Sequence, residues 1–365
     1  MPKPRLLAGL LAASVLAGCG TSPPGGRVPY QPSPDMEAVL REYQTLRPRP
    51  ADELNTEVAR RQPRLIDAAR AVRNVQGLPY PDEDVPRVLD FSIPGAADRR
   101  PARLFAPEMT KDTPVVLLFP GGGWVAPTLD ASDATARALS NRTGAMVLMV
   151  QPRGAPIGNP VRSEDARFPA AHEDAMAAYR WLQEHAREYG GDPSRIALAG
   201  EDTGGGLALS TAIAARDRGV GGPAHLLLLT PMVGLTPEDP ALADARPITR
   251  DALRFDQLQY APRGTPPDPR LDPGARAELR GLPPTTLVLA PIDPARPGAE
   301  LLAARLMEAG VPATSRLFEG TAAGFFGLGA VVSEARQAQS FVAGRLEAAF
   351  YRPLASEPVR PARRR

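Results

Sequence analysis

A short apolar segment that runs straight into a glycine-rich turn constrains the fold of this chain more than any other feature. The segment reads Ile196-Ala-Leu-Ala-Gly200-Glu201-Asp202-Thr203-Gly204-Gly205, and residues 207–215 continue it with the composition of a helix. A strand that passes directly into a helix needs a sharp turn with one residue held at positive φ. Aspartate tolerates that backbone better than most residues. The pattern therefore predicts a strand–turn–helix unit with Asp202 at its apex.

Short apolar runs alternate with helix-like segments along the rest of the chain. Nearly continuous apolar runs of this length are typical of parallel strands that are buried on both faces. The runs are residues 115–119, 145–150, 196–199, 225–229 and 286–290. The segments with helical spacing are residues 133–142, 170–185, 205–216, 299–309 and 332–350. With residues 90–93 and 102–105 as an antiparallel start, the pattern predicts an α/β protein with a doubly wound, mostly parallel sheet.

Three further motifs follow predicted strands, at the ends where open α/β sheets place their active sites. They are Pro120-Gly121-Gly122-Gly123-Trp124, Asp293-Pro294-Ala295-Arg296 and Phe318-Glu319-Gly320-Thr321-Ala322-Ala323-Gly324-Phe325-Phe326. Together with the turn at Asp202, and in this order, they resemble the motifs of the hormone-sensitive-lipase-like family of bacterial carboxylesterases. The resemblance covers residues 35–348 and implies an α/β-hydrolase fold.

The same resemblance indicates which catalytic groups this chain lacks. In the family, a serine at the turn attacks an ester, a histidine takes its proton and an acid orients the histidine. Matched position by position, Asp202 replaces the serine, Ala323 replaces the histidine and Asp293 stands at the acid position. Some α/β-hydrolases do attack with an aspartate at this turn. A histidine then usually activates the water that hydrolyses the intermediate, and such acid–base help contributes about 10²–10⁴-fold.

The glycines of the oxyanion motif are retained. By resemblance, the oxyanion hole consists of Gly121, Gly122, Gly123 and the backbone amide of Thr203. Pro120 stands where the family has a histidine. Backbone amides at the start of a helix favour negative charge. We therefore expect the Asp202 carboxylate to occupy or adjoin this hole and to fill it permanently.

Three histidines are present that could replace the lost base. His172 and His185 fall at the start and the end of one predicted helix, and His225 falls at the N-terminal end of a predicted strand. Because the site lies at the carboxyl ends of the strands, we expect none of them beside Asp202. The sequence predicts no cofactor and no metal ion, since Asp202 and Asp293 together offer fewer ligands than a hard cation requires.

The N-terminus is typical of an exported bacterial lipoprotein. Lys3 and Arg5 precede an apolar stretch of about 12 residues, which is the length of a signal-peptide core and too short to span a membrane. It ends in Leu16-Ala17-Gly18-Cys19, which resembles a lipobox, and Cys19 is the only cysteine of the chain. We expect residues 1–19 to be a lipoprotein signal peptide and Cys19 to be lipidated. Because Gly20 rather than aspartate follows, the resemblance favours the periplasmic face of the outer membrane.

One large α/β domain is expected over residues 35–350. Residues 20–34 are rich in proline and glycine and should form an extended tether. Residues 351–365 form a basic tail.

Two segments should form a cap over the site, as they do in the family: residues 35–75 and 238–282. Helical spacing in the first predicts helices at residues 36–46 and 56–72. Their apolar stripe would consist of Leu54, Val58, Leu65 and Ile66. The alternative is that these helices only cover the edge of the sheet.

Three functions fit these observations. We favour a catalytically degenerate esterase that keeps a binding role, because nucleophile and base are lost together. Its ligand would be a small apolar molecule in the former acyl pocket or a protein partner on the cap. The alternatives are an active carboxylic-ester hydrolase that uses Asp202, and a structural envelope lipoprotein. The net charge of +2 argues against a nucleic-acid partner.

Overall fold

Eight strands form one sheet at the centre of the molecule. The computed structural model describes residues 30–50, 53–79, 83–108, 111–155, 166–234, 238–243 and 245–351. The strands are β1 (Arg87–Pro94), β2 (Arg99–Ala106), β3 (Thr113–Phe119), β4 (Met146–Val150), β5 (Gly191–Glu201), β6 (His225–Leu229), β7 (Thr285–Leu289) and β8 (Ala313–Leu317). Their order across the sheet is β1-β2-β4-β3-β5-β6-β7-β8. The first two pairings are antiparallel and the other five are parallel.

Helices cover both faces of this sheet. Within the described residues the α-helices are α1 (Pro34–Thr45), α2 (Thr56–Arg60), α3 (Leu65–Val75), α4 (Asp133–Thr143), α5 (Ala170–His185), α6 (Thr203–Asp217), α7 (Arg250–Tyr260), α8 (Pro273–Arg276), α9 (Arg296–Glu308) and α10 (Ser333–Phe350). The first face packs against α5, α6 and α9. The second face packs against α4 and α10, and α1 and α3 join the same apolar cluster.

The strand pattern explains why both faces are covered. Side chains alternate between the two faces of a strand. In β3, Leu117 therefore joins the first apolar cluster, whereas Val116 and Leu118 join the second. All three are fully buried, so an apolar residue is required at each position whichever face it meets.

Most predicted elements are present, and two differ. The segment predicted as one helix over residues 56–72 is divided into α2 and α3, because Pro63 lies between them and proline cannot continue a helix from the preceding turn. The predicted apolar stripe is divided with it: Leu65 and Ile66 are buried, whereas Leu54 and Val58 are only half-buried. Strand β5 also begins earlier than its apolar run, at Gly191.

The signal sequence, Cys19 and residues 20–29 of the tether lie outside the described residues, as do residues 352–365 of the basic tail. Among the residues that the structure does describe, no helix is long and apolar enough to cross a membrane.

The packing of α6 against the sheet gives a first prediction. A Cβ added at Gly204, near the start of α6, would overlap the carbonyl of Phe119. We expect Gly204→Ala to lower the free energy of unfolding by about 1–3 kcal/mol, as overpacking does. Gly344→Ala in α10 is the matched control, because nothing lies within 4 Å of its added Cβ. That change should raise stability by about 0.5–1 kcal/mol. Urea denaturation measures both, and equal effects would contradict the packing argument.

Candidate active site

The turn between β5 and α6 has the sharp geometry that the sequence predicts. Asp202 has φ 49° and ψ −123°, a strained conformation for a residue with a side chain. Its amide donates to the carbonyl of Leu229 (3.1 Å), and its carbonyl accepts from the amide of Met232 (2.9 Å). A Cβ at Gly200 would overlap the carbonyl of Gly204. Glycine is therefore required at Gly200, and Asp202 is held rigidly at the carboxyl end of β5.

The carboxylate of Asp202 lies in the cradle formed by the loop after β3, residues 120–128, which we call the oxyanion loop. Its Oδ2 accepts hydrogen bonds from the amides of Gly122 and Gly123, each at 3.2 Å. The two strands bring these groups together, because β3 pairs with β5 in a register that sets Phe119 opposite Gly200. The amides that would hold an oxyanion in the family are bound instead to a side chain of the protein itself.

Two opposing effects act on the ionisation of Asp202. Burial raises the pKa of its carboxyl group above the usual value. Hydrogen bonds from the amides of Gly122, Gly123 and Thr203 act in the opposite direction, because they stabilise the ionised form. Backbone amides can only donate, so the oxygen that they contact serves as an acceptor.

Asp293 and Ala323, the two other positions that the motif resemblance assigns to a triad, are adjacent to each other at the carboxyl ends of β7 and β8. Ala323 donates its amide proton to the carbonyl of Ile292 (3.0 Å), the residue before Asp293. Asp293 is 4% exposed, and its Oδ1 accepts from the amide of Ala295 at 2.8 Å. This contact makes Asp293 the cap of the turn that leads into α9. Burial, with a further contribution from the charge of Asp202, raises the pKa of Asp293 to about 7.

Glu201 points away from this site although it precedes Asp202. Its Oε1 accepts from the hydroxyl of Thr135 on α4 (2.7 Å), and the residue is buried. Burial raises the pKa of Glu201. The described residues contain no group of three or more histidine, cysteine or acidic side chains that is able to hold a metal ion.

The three histidines contact side chains other than Asp202. His172 lies in the first turn of α5 and His185 is its last residue, as predicted, and His225 is the first residue of β6. Their ring nitrogens lie within hydrogen-bonding distance of Tyr260 (2.9 Å), Glu188 (2.8 Å) and Thr286 (2.9 Å), respectively.

His172 belongs to an aromatic cluster rather than to a catalytic triad. Its ring stacks on Trp124 with the centroids 5.3 Å apart, and its Nδ1 lies beside the hydroxyl of Tyr260. Burial lowers the pKa of His172 to about 3. The imidazole is therefore neutral at physiological pH, and its contacts with Trp124 and Tyr260 are those of a packing residue.

Asp256 is a site residue that sequence reasoning missed. It lies on α7, within the proline- and arginine-rich segment 238–282, and no motif marks it. Its carboxylate lies against Gly123, so closely that an added Cβ there would overlap it. Burial, followed by the charge of Asp202, raises the pKa of Asp256 well above its usual value. A third carboxyl group thus joins Asp202 and Asp293.

The N-terminal helices also contact the site. From α2, Arg60 donates to the carbonyls of Val125 (2.9 Å) and Ala155 (2.5 Å). Arg64, which precedes α3, donates to the carbonyl of Ala126 (3.2 Å). The contacts to Val125 and Ala126 tie the oxyanion loop to the N-terminal helices.

Comparison with known proteins identifies the class to which this fold and site belong. A family model described as an alpha/beta hydrolase fold matches residues 116–327, more than half of the chain. The chain therefore belongs to the α/β hydrolases, in their hormone-sensitive-lipase-like family.

Its relatives include named esterases. Esterase LipI of Mycobacterium tuberculosis is 35% identical over 285 residues, which are 74% of this chain and 86% of that protein. Carboxylic ester hydrolase LipN of the same organism is 34% identical over 251 residues, 66% of this chain and 65% of LipN, just under two thirds. The hyperthermophilic esterase from the archaeon Pyrobaculum calidifontis superposes with a TM-score of 0.76 at 29% identity, over 87% of this chain and 98% of that one.

The burial of Asp293 predicts a pH dependence of stability. Its pKa is raised in the folded state, so the folded form holds a proton that the unfolded chain releases near pH 4. Stability from this group is therefore complete below about pH 4 and is lost as the pH rises through about 7. We expect the unfolding free energy of the wild type to fall over this range relative to Asp293→Asn, which retains the acceptor for Ala295. Urea titrations at several pH values measure the difference, and a constant difference would contradict the assignment.

Proposed function

We propose that this chain keeps the fold and the cap of an esterase but does not hydrolyse esters by the serine route, and that the retained site serves to bind. The observation that carries the proposal is the pair of hydrogen bonds from Gly122 and Gly123 to the Asp202 carboxylate. An ester in this site would need the same two amides for the oxygen of its tetrahedral intermediate. Removal of one such donor from a working enzyme costs about 10²–10³-fold in rate.

Nucleophilic attack by Asp202 meets the same obstacle. The carboxylate would have to leave the amides before they became free for the substrate, and each hydrogen bond to a charged group contributes about 1.5–3 kcal/mol. No histidine stands ready as the base for the second step, because Ala323 occupies the histidine position. The amides of the oxyanion hole are already hydrogen-bonded to Asp202, and the histidine base is missing. Together these two features favour binding over turnover.

The bound molecule would be a small apolar ligand in the former acyl pocket or a protein partner on the cap. Trp124, which belongs to the oxyanion loop, stacks on His172 and Tyr260 and gives this side of the site an apolar character. This apolar character supports the binding of a small apolar ligand. A protein partner would instead contact the exposed residues of α7. Saturable binding of a short-chain fatty amide, followed by the fluorescence of Trp124, distinguishes the two.

A second candidate is ester hydrolysis with altered chemistry, and the esterase names of the relatives favour it. In this reaction Asp202 would turn out of the hole, and the amides would hold the carbonyl oxygen of the substrate. Asp293, whose pKa is raised to about 7, lies near the value that suits a general base at neutral pH. It would take a proton from the attacking water and return it to the leaving alkoxide.

An ester-hydrolysis assay of the purified protein without residues 1–19 separates the two candidates. On short-chain p-nitrophenyl esters we expect the parent to be no faster than Asp202→Ala. The double variant Asp202→Ser/Ala323→His should exceed the parent by at least about 10²-fold, because it restores nucleophile, base and a vacant hole.

The single changes are the matched controls for this assay. Asp202→Ser without the base and Ala323→His without the nucleophile should each stay near the parent. A parent that turns over and loses its activity in Asp293→Asn would support the second candidate and overturn the first.

We also propose that Cys19 anchors the protein as a lipoprotein on the periplasmic face of the outer membrane. The support is the lipobox-like run Leu16-Ala17-Gly18-Cys19 after a short apolar core. Labelled palmitate fed to expressing cells should enter the wild-type protein and be absent from Cys19→Ser. Equal labelling of both proteins, or none in either, would reject the anchor without affecting the proposal for the site.

A further inference from the structure

Helix α7 closes over the oxyanion loop through an acid group. The carboxylate of Asp256 lies directly on Gly123. The carboxylate of Asp202 contacts the same residue through its amide, at 3.2 Å. Gly123 thus lies between two carboxyl groups, that of Asp256 on α7 and that of Asp202 at the end of β5.

The end of α7 is fixed to the same loop by aromatic stacking. Tyr260, the last residue of α7, lies parallel to Trp124 with the ring centroids 4.6 Å apart and the planes at 4°. The carbonyl of Tyr260 also accepts from the amide of Phe168 (2.9 Å). Any movement of α7 away from the loop would therefore uncover Trp124, which is only 8% exposed.

The charges around Asp256 work against its ionised form. Among the described groups, the charge that acts on Asp256 is that of Asp202, which is also an acid. The charge of Asp202 further raises the pKa values of Asp293 and Glu201. The donors on this side, the amides of Gly122, Gly123 and Thr203, are directed to Asp202. Asp256 therefore has a repelling neighbour and loses solvation when the cap is closed.

We propose that Asp256 is a proton-dependent latch: its neutral form lets α7 close on the oxyanion loop, and its ionised form repels the Asp202 carboxylate and moves α7 away. A carboxyl group whose pKa is raised in the closed state stabilises closure fully below its ordinary value, near pH 4. This stabilisation is lost as the pH rises through the raised value. The cap should therefore open with increasing pH. The latch goes beyond the proposed function, because it requires only the position of α7 and not the presence or absence of turnover.

Fluorescence of Trp124 reports on this movement. The chain has two tryptophans, and Trp181 packs apart from α7, against Phe91 and Tyr189. Full-length protein with Trp181→Phe leaves Trp124 as the only tryptophan. Between pH 5 and 9 the stacked His172 stays neutral, since its pKa is lowered to about 3. Burial also raises the pKa of Tyr260 far above its usual value.

Acrylamide quenching of Trp124 should increase at least twofold along a single titration as the pH rises. Asp256→Asn should give a flat, weakly quenched profile, because the amide cannot ionise. Asp202→Asn should move the midpoint to lower pH by removing the repelling charge. Asp251→Asn changes an exposed acid of the same helix and should keep the parent profile.

A flat profile in the parent protein would overturn the latch, as would an unchanged titration in Asp256→Asn. If Asp256→Asn fails to fold, the parent profile and the shift in Asp202→Asn decide the question. An unchanged midpoint in Asp202→Asn would contradict the coupling. Ester hydrolysis by the parent would overturn the proposed binding function and leave these fluorescence results unaffected.

Discussion

The properties of this site depend on the hydrogen bonds from the amides of Gly122 and Gly123 to the Asp202 carboxylate. They exist because the fold still places the oxyanion loop after β3 beside the turn after β5. In a hydrolase that arrangement leaves the amides vacant for the charge that develops on the substrate. Here a side chain of the protein supplies the acceptor, so the donors are satisfied before any ligand arrives. The strained backbone at Asp202 positions this acceptor at the carboxyl end of β5.

Ala323, which is hydrogen-bonded to the residue before Asp293, offers no imidazole to stabilise the ionised form of that acid. An orienting acid is normally stabilised in its ionised form by the imidazole that it contacts. Asp293 accepts a hydrogen bond from the amide of Ala295 and is otherwise desolvated, and this burial raises its pKa to about 7. Asp256 lies in a similar state on the other side of Asp202. The site therefore contains several buried acids whose ionisation is coupled through the charge of Asp202. Its stability and conformation should depend on pH even without turnover.

Local sequence signals predict the elements that carry these groups, and the ordered motifs predict that Asp202 approaches Gly122 and Gly123. The contact between α7 and the oxyanion loop has no such signal. Helix α5 and strand β6 have the bounds that periodicity and apolar runs predict, and the glycines at 200 and 204 mark the turn. Pro63, which divides the predicted N-terminal helix into α2 and α3, is a local signal that helical spacing alone does not take into account. Asp256 could not have been found in this way, because its partner Gly123 lies far away in the chain. The early start of β5 was also missed, since Gly191 and Pro193 are usually turn residues.

A crystal structure of the protein, grown at neutral pH without carboxylate, sulfate or phosphate in the solution, tests the central claim most directly. The account predicts one carboxylate oxygen of Asp202 within hydrogen-bonding distance of the amide nitrogens of both Gly122 and Gly123. A carboxylate that is turned out of the loop, with water bound to those two amides in its place, would contradict it.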